Sequence, residues 1–401
     1  MPVDDLHPQY EEWASDWTRV RDAFGGRRQI KEKRTAYLPS PEAQTGPEYD
    51  DFLARAQWIE ATERSTKGLA GAVLRTDTAI EVPDVMREDL EDVTLSNQDV
   101  NAFSQRILMD QILMGRLGVE VAMPRTEGPD QRPYWNLWAA ESIVNWAEMR
   151  INGRLRPVLV VLKEPVLQRS DDFAWEEKAF QYRVLRLAPF TEDRLVYIQE
   201  IWIENPNQDA AGDEKFILSE QIIPSRRGVL MDEIPFTLFG ASSIEMAVEK
   251  PPMLGVADHN IGWYVNSADY ENALSAIKPL YVFIGMEAGA EIVLGSRRAV
   301  IVPDSDGDGK ILQGADPVGL RNAMEEKRKN MGVMAGQILE EESGPAETLG
   351  AVRIRQGGRQ ASLRTIATTF GVGLEKVLGF HAKWVGANPE DIVATPNTDF
   401  I

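Results

Sequence analysis

LRPVLVVLK (Leu155–Lys163), FQYRVLRL (Phe180–Leu187) and RLVYIQEIWIE (Arg194–Glu204) are the stretches on which the fold turns. Each is dense in β-branched and aromatic residues and bounded by Gly, Asn or Asp, the signature of a strand. The same signature recurs on either side, at Gly118–Met123 and Pro133–Trp138 before them and at Lys215–Leu218 and Pro235–Phe239 after them. NPNQDAAG (Asn205–Gly212) between two of these runs predicts a hairpin tip or exposed loop.

Helical periodicity flanks this strand-rich middle. Tyr10, Trp13, Trp17, Val20 and Phe24 recur at steps of three and four and predict a helix over Pro8–Ala23, ended by Gly25-Gly26. RRQIKEKR (27–34) follows, the densest basic stretch of the chain. With Glu32 inside it and no aromatic platform beside it, it reads as a solvated surface segment before a nucleic-acid patch. A second helix is expected over Glu48–Lys67, burying Tyr49, Phe52, Ala56 and Ile59. A third is expected over Ser96–Leu117, with Ser96 as N-cap and Val100, Phe103, Ile107 and Met114 inside.

Beyond the strands, Ala257, Ile261, Tyr264, Ala268 and Leu274 mark a helix over Pro251–Ile277. Short strands follow at Leu280–Ile284 and Ala299–Val302. Asp316-Pro317 should open a helix running to Leu339, with Leu320, Met324, Met331, Ala335 and Ile338 as its apolar stripe and Glu325–Lys329 on its wet face. A polar, Gly-containing break, Glu340–Glu347, precedes a last helix over Gly350–Val385. Its Leu363, Ala367, Phe370, Leu374, Val377, His381 and Trp384 alternate at steps of four and three, a seam for a partner helix, with His381 tolerated in the seam. Helices, then strands, then long helices make an α+β chain, not an alternating α/β one.

The 401 residues allow two or three domains. The formal charge of −20 excludes a protein that grips DNA over its whole surface. Without cysteine there is no disulfide, no thiolate zinc site and no cysteine nucleophile. No apolar run approaches a membrane span, and the acidic, polar start MPVDDLHPQY does not read as a secretory signal. His7, His259 and His381 form no HExxH pair. Phosphate-loop, nucleophile-elbow and dinucleotide motifs are missing, and no cofactor or metal is expected. Asp258-His259 adjoin on one helix, where neighbours point in different directions, so a serine triad built on them is disfavoured. Asp304-Ser305-Asp306-Gly307-Asp308-Gly309 matches the first half of a calcium loop, but Ala315 stands where the bidentate Glu belongs. The segment therefore reads as a Gly/Asp hairpin between Ala299–Val302 and Lys310–Gln313, with adventitious cation binding as the alternative.

Three words in co-linear order carry a resemblance. The opening reads Tyr10…Trp13…Trp17…Val20-Arg21-Asp22…Gly25, then Tyr37-Leu38-Pro39, then Tyr49-Asp50…Phe52…Arg55-Ala56. Glu347-Thr348-Leu349-Gly350-Ala351 joins two long helices, with Leu349 where a small residue is usual. The ending reads Asn397-Thr398-Asp399-Phe400. Over nearly its whole length the chain resembles tailed-bacteriophage portal proteins, in a subfamily often filed as an uncharacterised domain.

The resemblance implies a portal-like fold: a helical wing over 1–178 (with Ala139–Met149 a short candidate for a first stem helix), a clip over 179–240, and a stem helix over 241–280. A wing return with a channel loop over 281–350 and a C-terminal helix and crown base over 351–401 complete it. It implies a ring, typically of twelve subunits, at one capsid vertex, through which double-stranded DNA passes without sequence specificity. Partners would be further copies of the chain, terminase, a head-tail adaptor and the major capsid protein, with no membrane. The setting would be the virion, with the host cytoplasm during assembly. An acidic wall keeps a polyanion from sticking, in agreement with the charge. The residues placed at the channel are Glu340, Glu341, Glu342 and Glu347, with Arg353 and Arg355 just after them. Inter-subunit salt bridges are the alternative for the two arginines. From other classes, a carboxylate-dependent hydrolase needs two carboxylates converging in a cleft, and another capsid or connector subunit would share the virion setting.

Overall fold

A computed structural model describes residues 2–41, 45–124, 131–169, 175–191, 194–207, 215–226, 228–277, 280–284, 308–312, 315–336 and 349–399. α1 (Pro8–Glu32) opens behind His7, whose Nδ1 accepts from the Gln9 amide at 3.2 Å. The glycine pair does not end it. Gly26 alone leaves helical space, at φ 81°, and the helix kinks and resumes. A Cβ at Gly26 would stand 2.7 Å from the Glu60 carboxylate, the movable end of a side chain, so it is the backbone at positive φ that demands glycine.

The expected second helix is two, α2 (Gly46–Arg55) and α3 (Ala61–Val73). The break has a cause: the Gln57 N–H donates to Ser267 Oγ at 2.9 Å, and that hydroxyl lies 2.9 Å from the Gln57 carbonyl, so this backbone bonds across the fold and not along a helix. β1 (Ala79–Glu81) follows. α4 (Val100–Met114) is capped by Asp99, which accepts from the Ala102 amide at 2.7 Å, and not by Ser96. It stops at Gly115, φ 65°, before the expected Leu117, because Arg116 already belongs to the next strand.

β2 (Arg116–Ala122) is buried along its whole length and pairs with β3 (Tyr134–Ala139). β4 (Ile143–Ile151), β5 (Arg154–Arg169), β6 (Trp175–Thr191), β7 (Arg194–Glu204) and β8 (Phe216–Ile222) form one antiparallel meander in chain order. β4 replaces the short stem helix considered at Ala139–Met149; its Ile143, Val144 and Trp146 are buried in the sheet. Asn152-Gly153, both at positive φ, close the β4–β5 hairpin in two residues. After the small pair β9 (Ser225–Arg226) and β10 (Val229–Leu230), β11 (Phe236–Gly240) adds to the free edge of β2.

α5 (Leu254–Ala276) matches its expected span closely. β12 (Leu280–Ile284) pairs antiparallel with β13 (Asp308–Leu312). Asp308 and Gly309 are therefore strand residues and not the end of a turn; Ala299–Val302 and Asp304–Gly307 lie outside the described residues. α6 (Val318–Ala335) begins after Pro317 and not at it, and Gly336 at φ 88° ends it four residues short of Leu339. α7 (Leu349–Val385) and β14 (Val393–Thr395), which pairs with β1, complete the chain.

The seam of α7 finds its partners within the chain. Phe370 lies 6.4 Å from the Phe239 ring of β11, the Trp384 Nε1–H donates to the Val121 carbonyl of β2, and Ala367, Leu374 and Val377 are fully buried. A separate partner helix is not needed, because a sheet face covers a heptad-spaced stripe as well as a helix does. Burying each of Phe370, Leu374 and Val377 contributes roughly 2 kcal/mol.

Candidate functional site

α5 and α6 run antiparallel as a helical hairpin. Gly255 faces Met334, and Gly262 faces Lys327, whose ammonium donates to the Gly262 carbonyl at 3.0 Å. One end is rooted in the body: Val256, Ala257 and Asn260 of α5 and Met331 and Ala335 of α6 are buried. The other end is not. Leu274, Ile284, Ile311 and Val318 are exposed around the β12–β13 ribbon that caps it, with Ile311 at 62%. Among the described residues no helix is long and apolar enough to cross a membrane.

The residues expected at a channel sit at the far side of this hairpin in sequence. Glu340, Glu341, Glu342 and Glu347 lie outside the described residues, between the end of α6 and the start of α7. Arg353 and Arg355 fall in the first turns of α7. Asp258 and His259 serve different partners: Asp258 pairs with Arg19 at 3.0 Å, and the His259 Nδ1–H donates to the Gly255 carbonyl. The basic stretch is engaged with its own chain, through Arg28–Glu32 at 2.8 Å, Arg34–Asp50 at 2.6 Å and Lys31 to the Ala54 carbonyl. Among the described residues no group of three His, Asp or Glu could hold a metal ion.

Three polar nodes in the core escape a reading of the sequence. His381 is fully buried; its Nδ1 accepts from Trp135 Nε1 at 3.2 Å and its Nε2–H donates to Asp89 at 2.9 Å, which fixes the neutral tautomer. Arg116 lies over the Trp146 ring at 4.0 Å and donates to the Met246 carbonyl, while its Nε and Nη2 find no partner among the described residues. Burial pushes its pKa down to about 9. His7 stacks on the same indole at 3.8 Å, and burial, then Arg116, lower its pKa. Glu120, fully buried on β2, accepts from Trp138 and Asn136 and faces Arg183, which is bonded to Glu164 at 3.1 Å. Burial pushes the Glu120 carboxyl up and Arg183 opposes that.

Because Glu120 titrates higher folded than unfolded, its contribution to stability is complete below the unfolded value and is lost as pH rises through the folded one. Glu120→Gln keeps an acceptor for both donors without the charge. Thermal melts should therefore show the variant gaining on the parent as pH rises from about 4 toward neutrality. A melting difference that stays flat over that range would mean Glu120 does not titrate.

Neither of two described cavities suits a carboxylate pair. One of about 640 Å³ is lined by Arg183, Tyr134, Tyr197, Gln199 and Arg226 and carries no acid. The other, about 610 Å³, has Glu81 and Asp391 on its wall, both exposed and not in the burial that makes a general acid.

A family model described as a domain of unknown function, DUF4055, matches residues 252–385, from the foot of α5 to the end of α7. No curated protein matches the chain. Among solved structures, the chain is similar to one in the neck of an empty GTA particle computed with C6 symmetry, at 13% identity and a TM-score of 0.42, covering 91% of this chain and 89% of that one. It is also similar to a chain in the virion of a native gene transfer agent (GTA) particle, at 14% identity and a TM-score of 0.41, covering 92% and 89%. A third similarity is to a chain in the neck of a native GTA particle computed with C12 symmetry, at 14% identity and a TM-score of 0.38, covering 93% and 90%.

Proposed function

We propose that the chain is a subunit of a viral portal ring, a conduit at one capsid vertex that passes double-stranded DNA without reading it. The observation that carries this reading is the α5–α6 hairpin. It is rooted in the body at one end and ends in a ribbon whose Ile284 and Ile311 a lone subunit leaves in water. Side-by-side copies in a ring cover such a surface, and the motif order noted in the sequence points the same way. The hairpin is then the stem, and Glu340, Glu341, Glu342 and Glu347, outside the described residues, are the acids this reading assigns to the channel.

Terminase and head-tail adaptors are best placed on the exposed β12–β13 ribbon and not on 179–240. That span begins inside β6, and its Leu185, Tyr197, Phe236 and Phe239 are buried in the main core. A wall of subunits each carrying −20 minimises adhesion to a polyanion. The purified chain should form annular particles in negative-stain images, with a mass of many subunits by mass photometry, typically twelve. A chain that stays monomeric at all concentrations, salts and scaffolding conditions tried would overturn the reading.

A further inference from the structure

We propose that the β4–β5 hairpin tip of one copy, Met149–Arg156, docks into the groove beside β1 of the next copy, between Ile80 and Asp391. The inference rests on the ring reading and names the contact that closes it.

The tip is basic and apolar together. Arg150 and Arg154 are exposed, and so are Met149 and Leu155, the latter at 53%. β4 is the outermost strand of its sheet. The N-terminal segment covers the first half of its edge: the His7 N–H donates to the Val144 carbonyl at 2.9 Å, and Asn145 donates to the Asp5 carbonyl. The second half, from Glu148, has no backbone partner on that side among the described residues. The two-residue turn makes Ile151 and Arg154 the bonded pair, so the N–H and C=O of Arg150 point outward.

The groove is the complement. Its floor is Ile80, Val82 and Leu90, and Val85 stands exposed beside it. Its wall carries Glu81 and Asp391, and Glu88 and Glu91 sit on the same short turn as Leu90. The one cation of the wall, Arg87, is held by Asp84 at 2.9 Å. The backbone edge is open here too. The Ala394 N–H turns away from β1 to reach Glu375 at 3.0 Å, so Ile80, directly opposite Ala394, also points its N–H and C=O outward. An open, basic strand edge and an open, acidic one can pair between copies.

The two surfaces sit on different sides of the subunit, as a head-to-tail contact requires. Arg156 lies close to both Lys376 and Lys383: burial lowers the two ammonium groups, Glu148 and Asp232 respectively oppose that, and Arg156 acts on both. Asp89, in the turn beside the groove, bonds His381, which points roughly 140–160° away from those two lysines around α7.

The test is a charge swap in the full chain. R150E/R154E and E81K/D391K each change only exposed side chains and should melt like the parent, yet each should weaken ring assembly about tenfold or more by mass photometry. Mixed one to one, they should assemble again, since each hairpin then meets an opposite groove; the fourfold variant should assemble alone. Rings that form equally well from either double variant, or a mixture that fails to recover, overturn this contact while leaving the ring. A parent chain that forms no ring under any condition overturns the ring reading itself.

Discussion

Trp135→Ala is expected to cost about 5 kcal/mol, most of the stability of an ordinary domain. Trp135 is 1% exposed at the centre of the main core, edge-on to Phe103 at 5.5 Å, and its indole N–H satisfies Nδ1 of His381. Truncating a buried Trp leaves a cavity worth about 3–5 kcal/mol. It also strands a buried acceptor, worth a further 1–3 kcal/mol or so. Trp135→Phe separates the two: it keeps most of the volume and loses the donor, so about 1–3 kcal/mol is expected. Urea denaturation followed by far-ultraviolet circular dichroism measures both. If Trp135→Ala unfolds within 1 kcal/mol or so of the parent, the node is not holding the sheet to α7. Because His381 continues the chain of bonds to Asp89, the variant should also loosen the turn beside the proposed groove. Any loss of assembly must therefore be read against the melt.

What the sequence shows and hides follows from the range of each interaction. Arg194–Glu204 is legible to the residue because β-branched and aromatic content is a local property. The seam of α7 is legible as a stripe, but periodicity says which face is covered and not by what; β2, β3 and β11 lie more than a hundred residues away in sequence. Gly25-Gly26 can stop a helix or kink one; here it kinks, and the Arg27 N–H just past the kink donates to Glu60 on a different segment at 3.4 Å, a contact no local pattern shows. Ser96 and Asp99 are both good caps three residues apart, and Asp99 makes the bond. β4 is not legible in the sequence because only its first residues are buried, so it lacks alternation.

The candidate surfaces divide in the same way. α5 and α6 are visible as apolar stripes, and their exposed end is not. Glu120 meets Arg183, and Arg116 meets Trp146 and His7, only after the sheet has folded. The acidic groove joins residues near 80 with residue 391, brought together by the β1–β14 pairing.

Gly373 offers the second large effect. It lies on α7 where the helix crosses β11, and a Cβ there would stand 2.3 Å from the Phe239 ring, which is fully buried and cannot retreat. Its glycine identity answers to packing and not to backbone freedom, since the position is helical. Gly373→Leu should therefore cost about 3 kcal/mol or more, the upper range for overpacked cores. Even Gly373→Ala should lose stability, although alanine is the better helix former by about 1 kcal/mol. Gly379 supplies the control six residues on. There an added Cβ meets only Pro389, at an ordinary 3.8 Å, so the helix gain is unopposed. Gly379→Ala should raise stability by up to about 1 kcal/mol. Opposite signs for one substitution at two points of one helix, read as midpoint shifts at constant slope, are what close contact between α7 and β11 requires. Equal signs would mean that α7 does not press on the sheet at Phe239, and with it the anchoring of the whole C-terminal helix to the body would fall.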